Sequence, residues 1–168
     1  RPDRGRDLRH RHAQQPGRDA VNPALLRAEV DAVLADWAWH LDHGDYDAVA
    51  ELFTDDALFI TGAVELRGRS AIKNRYKERV LVRSTRHFYS GLRVDPLDGG
   101  ADDGRPSGVR AWSTWANFAV NAPAPVDDVG VYLVADFYDV LTWCDDARLR
   151  ISERRIIPVF RDPSRAPA

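Results

Sequence analysis

The chain changes its periodicity once, near Arg83-Ser84, and that single change limits the folds open to it. Before it, Leu26, Val30, Val33, Trp37 and Leu41 recur at helical spacing and form one apolar stripe. After it, residues 87–94, 109–120, 131–141 and 149–160 are runs of β-branched and aromatic side chains that suit a pleated surface. Turn-rich stretches separate them: PLDGGADDGRPSG at 96–108, NAPAPVDDVG at 121–130, and a shorter hairpin turn at Asp145-Asp146. Helices first, then long strands that return on themselves, predict an α+β fold with the helices gathered on one face of a curved antiparallel sheet.

Local signals place the helical elements. Asn22-Pro23 reads as a helix start, with asparagine as cap and proline in the first turn. Gly44 suits the end of that helix, and Asp45 can cap a second one over 46–53. A strand is expected over 57–61, broken by Gly62 and resumed at Leu66-Arg67-Gly68. Ser70 is the expected cap of a third helix, which runs through Ile72 and Tyr76 to about residue 80. Residues 1–22 hold six arginines and almost no apolar side chains, so burial cannot offset their ordering entropy and a mobile tail is expected. The folded unit is placed at 23–162, with a C-terminal tail at 163–168.

At 168 residues the chain fits one domain with a sizeable core. A net charge of −2 gives no general reason to expect a nucleic acid partner, and the basic tail lacks interleaved aromatics. One cysteine, Cys144, excludes an internal disulfide framework and a cysteine-based zinc site. No apolar run approaches the roughly 18–20 residues of a membrane span, and the N-terminus lacks the apolar region of a secretory signal. The expectation is a soluble, cytoplasmic protein. His40 and His43 lie three apart near a helix end but have no further ligand cluster beside them, so no metal site is expected. No glycine-rich phosphate loop and no G-x-S-x-G elbow occurs, which removes support for nucleotide binding and serine hydrolysis.

Four phrases in this order carry a resemblance: LDHGDYDAVAELFTDDALF at 41–59, LRGRSAIKNRY at 66–76, STRHFYSGLRV at 84–94, and FYDVL with LRISERRI across 137–156. Together they resemble the SnoaL-like branch of the nuclear-transport-factor-2-like superfamily. The resemblance implies a cone whose open end is lined by the first helix, the third helix and the concave face of the sheet. Its members include scytalone dehydratase, a hexachlorocyclohexane dehydrochlorinase, polyketide cyclases and the non-catalytic β subunits of ring-hydroxylating dioxygenases. One fold hosts many functions, so the chemistry must come from the site.

The resemblance implies that Asp42, at the end of the first helix, and His87, opening the first long strand, form a dyad. A carboxylate that accepts the Nδ1 proton of an imidazole fixes its tautomer and stabilises the imidazolium formed on proton abstraction. The plain alternative is that Asp42 ends its helix and His87 is a satisfied core side chain. Trp37 matches a pocket tryptophan of scytalone dehydratase and equally continues the apolar stripe. Arg154 matches a pocket arginine of the dehydrochlorinase, where it could stabilise a developing anion. Its neighbours Arg150 and Arg155 also fit a solvated strand face. Phe59, Tyr76, Trp115, Asn117 and Tyr132 are the candidate substrate-binding residues of the implied cone. Strand alternation puts Trp115 and Asn117 on one face and Trp112, Thr114 and Phe118 on the other, without saying which face is inside. The chain departs from scytalone dehydratase at Leu41 and near Thr61, where that enzyme has tyrosines, and from the dehydrochlorinase at Trp37, where it has lysine. The substrates of both are therefore not expected.

The function expected is a cofactor-independent lyase or isomerase, of the dehydratase or polyketide cyclase type, acting on a hydrophobic small molecule. A non-catalytic dioxygenase β subunit bound to an iron-bearing α subunit, or a small-molecule-binding module, are the alternatives. Apolar and aromatic residues at both parities of 109–120 and 131–141 point to a homodimer through the outer sheet face, with a trimer as the rival.

Overall fold

The structure is a computed structural model that describes residues 22–79, 82–99, 106–127 and 129–166. The expected N-terminal tail, through residue 21, lies outside the described residues. The first helix, α1, spans Pro23–Asp42. Asn22 caps it as expected, its side chain accepting from the backbone N–H of Ala24 at 3.0 Å and of Leu25 at 3.4 Å. The buried stripe runs through Leu26, Val30, Leu34, Trp37, Ala38 and Leu41. Leu34 is fully buried where the sequence favoured Val33, which packs only at the rim of the core. The helix closes with paired bonds from the Asp45 N–H to the His40 carbonyl and from the Gly44 N–H to the Leu41 carbonyl. That closure needs a left-handed residue at Gly44, whose φ is +74°.

Helix α2, Tyr46–Glu51, is capped by Asp45 and leads straight into strand β1, Phe53–Thr61, which pairs with the short β2, Val64–Arg67. Helix α3 spans Arg69–Lys77. Its cap is Gly68 rather than the expected Ser70, and it ends three residues short of the expected residue 80. Gly68 takes φ +86° and gives its N–H to the Ala57 carbonyl at 2.8 Å, so the turn is fixed before Ser70 is reached. Arg69 then clamps α3 to β1 with two bonds to the Phe53 carbonyl.

Four long strands follow: β3 at Ser84–Leu97, β4 at Gly108–Val120, β5 at Val131–Trp143 and β6 at Leu149–Arg161. They complete one curved, six-stranded sheet in the order β2-β1-β6-β5-β4-β3. All neighbours are antiparallel except one. β1 runs parallel to β6, so the sheet is mixed rather than purely antiparallel. The connection between those two strands passes through α3 and four further strands, which is long enough for a parallel pair. The expected tail from 163 begins with a short 3₁₀ turn, Pro163–Arg165, capped by Asp162.

Helix α1 lies across the concave face and is tied to β3 along its length. Arg27 bonds the Leu92 carbonyl, the Tyr89 hydroxyl donates to the Asp31 carboxylate at 2.7 Å, and Asp42 meets Thr85 and His87. Strand β4 shows which face is inside: Val109, Ala111, Ser113, Trp115, Asn117 and Ala119 are buried, and the residues between them are not. Strand β6 breaks strict alternation twice. Ser152 and Val159 are extra residues with no partner on β5, so Leu141 faces Ile151, Asp139 faces Arg154, and Leu133 faces Arg161, all on the concave side. No helix among the described residues is long and apolar enough to cross a membrane.

Candidate functional site

The end of α1 and the start of β3 meet at Asp42 and His87. The carboxylate of Asp42 accepts three hydrogen bonds: from the Thr85 hydroxyl at 2.7 Å, from the His87 backbone N–H at 2.8 Å, and from His87 Nδ1 at 2.6 Å. Thr85 and His87 are two apart on one strand, so both side chains point to the same face and reach one carboxylate. Both side chains of the ion pair are only 5% exposed. Burial alone would raise the Asp42 pKa, but the His87 ring and backbone and the Thr85 hydroxyl outweigh it and hold the carboxyl below its ordinary value. Burial pushes the His87 pKa below its ordinary value against the opposing pull of Asp42, and the charges of Arg79 and Arg154 add to the depression. An ionised carboxylate can only accept, so Nδ1 carries the proton and Nε2 keeps a free lone pair. The ring is therefore neutral at neutral pH, with Nε2 able to accept a proton.

His87 opens on a cavity of about 450 Å³. Its walls include every candidate substrate-binding residue: Trp37 from α1, Phe59 from β1, Tyr76 from α3, Trp115 and Asn117 from β4, and Tyr132 from β5. The aromatic rings interlock. Trp37 meets His87, Trp115 and Phe137 edge-on at centroid distances of 5.4, 5.3 and 5.7 Å, and Trp115 stacks between Tyr89 and Phe137. Within this apolar lining the Trp37 indole N–H, the Tyr76 hydroxyl and the Asn117 side-chain oxygen are buried and meet no hydrogen-bond partner in good geometry, although the Trp37 N–H stands near enough to act on the Tyr76 oxygen. Burial raises the Tyr76 pKa, so its hydroxyl stays protonated. Buried polar groups are rarely left unpaired, and three of them on the walls of one cavity mark where a bound molecule or water would be held.

Asp42 supports the ring from behind and does not itself line the cavity. Arg154 does not line it either. Its side chain is fully buried and forked onto Asp139, with Nε to Oδ1 at 2.7 Å and Nη2 to Oδ2 at 2.9 Å. The guanidinium sits 4.4 Å from the Trp37 ring centroid and 5.1 Å from that of Phe137. Arg154 thus lies on neither a solvated strand face nor the cavity wall; it holds the aromatic floor from beneath. The extra residue at Ser152 is what turns it inward, since alternation from Ile151 alone would turn it out.

Several site residues escaped the sequence reading. Thr85 carried a usable signal, being two before His87 on the same strand face. Phe137, Arg79 and Arg161 carried none that separates them from their neighbours, because their placement depends on which face of β5 is inside, on where α3 ends, and on the bulge at Val159. Among the described residues no group of three or more histidine, cysteine, aspartate or glutamate side chains is placed to hold a metal ion.

Known structures share this architecture. A protein from Catenulispora acidiphila in complex with S-DNPA is 28% identical, with a TM-score of 0.65 over 80% of this chain and 94% of that one. ActVI-ORFA from Streptomyces coelicolor is 22% identical, with a TM-score of 0.67 over 80% and 97%. Aln2 from a Streptomyces species is 22% identical, with a TM-score of 0.66 over 83% and 93%. No curated protein matches the chain. The sequence profile of the SnoaL-like domain matches residues 23–155, from the start of α1 into β6. The chain belongs to the SnoaL-like domain family.

Proposed function

We propose that this protein is a cofactor-independent lyase or isomerase, of the dehydratase or cyclase type, acting on a hydrophobic small molecule. The observation that carries this reading is the Asp42–His87 pair opening on an aromatic cavity. Nε2 of His87 removes a proton from a carbon beside a carbonyl. Asp42 stabilises the imidazolium that results. The charge that gathers on the substrate oxygen meets the Tyr76 hydroxyl and the Trp37 N–H, two neighbouring buried donors with no partner beyond each other. The imidazolium then returns the proton to one of three places: a new carbon, which isomerises the substrate; the alkoxide formed when the enolate carbon attacks a second carbonyl, which closes a ring; or a departing hydroxyl, which leaves as water. Arg154 acts through Trp37 and does not touch the substrate.

The test is proton exchange. Incubated in D₂O with a panel of aromatic β-hydroxyketones and β-diketones, the protein should exchange or eliminate at the acidic carbon, read by mass spectrometry. His87→Gln should remove that activity, and equal rates in the wild type and the variant overturn the proposal. A binding module would hold such molecules without exchange. A dioxygenase β subunit would need an α partner, and the exposed apolar residues Phe88, Tyr138, Ile157 and Phe160 on the outer sheet face would suit one. We assign that face instead to a second copy of this chain, in a cytoplasmic homodimer.

A further inference from the structure

The mouth of the cavity differs from its floor. Arg75 and Arg79 from the end of α3 and Arg161 from the end of β6 all line it, with Glu78 beside them. Glu78 is taken up by Arg75, at 3.6 Å. Asp42, the carboxylate behind His87, is taken up by His87 and Thr85. Neither Arg79 nor Arg161 has a carboxylate partner among the described residues. Each rests on an aromatic ring instead, Arg79 at 5.0 Å from the Tyr76 centroid and Arg161 at 5.9 Å from that of Tyr132. A third guanidinium, Arg83, does not line the cavity but stands 5.3 Å from the same Tyr132 ring and bonds only neutral oxygens, those of Asn121 and the Arg165 backbone. Burial, and then the charge of Arg79, push the Arg83 pKa down. Crowding cations at a cavity mouth is unfavourable unless an anion completes the group.

The sheet gives the spacing. His87, Asn117, Leu133 and Arg161 stand opposite one another on β3, β4, β5 and β6 and form one row across the concave face. Three strand spacings separate the ends of that row, about 14 Å at the backbone. The base thus occupies one end of the row and Arg161 the other, while Arg79 comes in from the end of α3, over Tyr76.

Building on the acid-base reading of this site, we propose that the cavity selects flat aromatic acids, seating a carboxylate on Arg79 and Arg161 at the mouth while the ring system lies between Trp37, Phe59, Tyr76 and Trp115. A guanidinium matches a carboxylate as a forked donor, and charge-assisted bonds of this kind are the strong ones. The neutral floor orients the molecule, and the charged mouth sets which end enters last.

Equilibrium binding tests this without turnover. Tryptophan fluorescence or calorimetry would compare 2-naphthoate with its uncharged amide, 2-naphthamide, on the full chain. The acid should bind about tenfold or more tightly. The preference should shrink as salt is raised, because the mouth is open to solvent. In the Arg79→Gln/Arg161→Gln double variant the acid-to-amide ratio should fall to near one, with circular dichroism and the melting temperature showing that the fold is kept. Each single variant gives the same readout if the double variant fails to fold. Equal affinity of acid and amide for the wild type, or a ratio unchanged in folded variants, overturns the proposal. His87-dependent exchange in neutral substrates with no acid preference would reject the mouth assignment alone. An acid preference with no exchange would reject the catalytic reading alone.

Discussion

Asp42 works through one carboxylate with three donors, so its replacement separates orientation from charge. Asp42→Asn keeps the shape but offers an amide, which leaves the ring tautomer unfixed and the imidazolium unsupported. We expect the rate of the His87-dependent exchange to fall by about 10²–10⁴-fold with little change in substrate affinity. In the wild type the rate should be flat above pH 6.5 and fall on the acid side, because the His87 pKa lies below that ordinary value and the neutral ring is the active form. Stability follows the same group. As the pH falls below 6.5 the unfolded chain takes up a proton before the folded one does, so stability declines from there down to the depressed pKa of the folded state. The Arg154–Asp139 pair is almost wholly buried, and removing one partner strands a charge beneath the aromatic floor. Asp139→Asn should cost about 3–5 kcal/mol in chemical denaturation. Its effect on exchange should come through displacement of Trp37.

At the scale of elements, α1 does two jobs: it closes the concave side of the sheet and delivers Asp42 to β3. Leu34 lies in the middle of its buried stripe with no exposed surface. Leu34→Ala should destabilise by about 2–5 kcal/mol, measured by urea unfolding. The helix and its ends were legible because they rest on local chemistry. Asn22, Asp45 and Gly44 each satisfy backbone groups within a few residues of themselves. The four long strands were legible for the same reason, from residue type and the loops that bound them. What local chemistry does not encode is direction and phase. The parallel pairing of β1 with β6 depends on a connection through half the chain, and the inward turn of Arg154 and Arg161 depends on two extra residues that alternation alone would hide. The Asp42–His87 contact was placed by resemblance, and the structure supplies the third donor, Thr85, and the cavity on which His87 opens.

For the whole molecule, the sheet has one side filled and one side open. Phe160 is 69% exposed and Phe88 59%, with Tyr138 and Ile157 on the same outer face. A second copy packed there would remove this surface from water, and a closed two-fold pair is the commonest way to do so. Light scattering should give a mass twice that of the 18.9 kDa chain at micromolar concentration. Replacing Phe160 and Ile157 with serine should return the monomer mass, while proton exchange in the cavity on the opposite face of the sheet continues. A monomer in the wild type rejects the assignment.

The two unpartnered residues of β6 also bear on how this chain tolerates change. Each acts on the strand as an inserted letter acts on a reading frame: it swaps inside for outside from that point on. Ser152 shifts the frame so that Arg154, Ile156 and Pro158 face in, and Val159 shifts it back so that Arg161 does. Loss of Ser152 or Val159 would straighten the ladder and leave every remaining residue on its present side. Loss of any other residue between Arg154 and Pro158 would turn part of the strand inside out, exposing the buried guanidinium or emptying the rim. Single-residue deletions in β6 should therefore survive at those two positions and fail between them, so that the strand records in its length, as much as in its composition, which of its arginines the cavity meets.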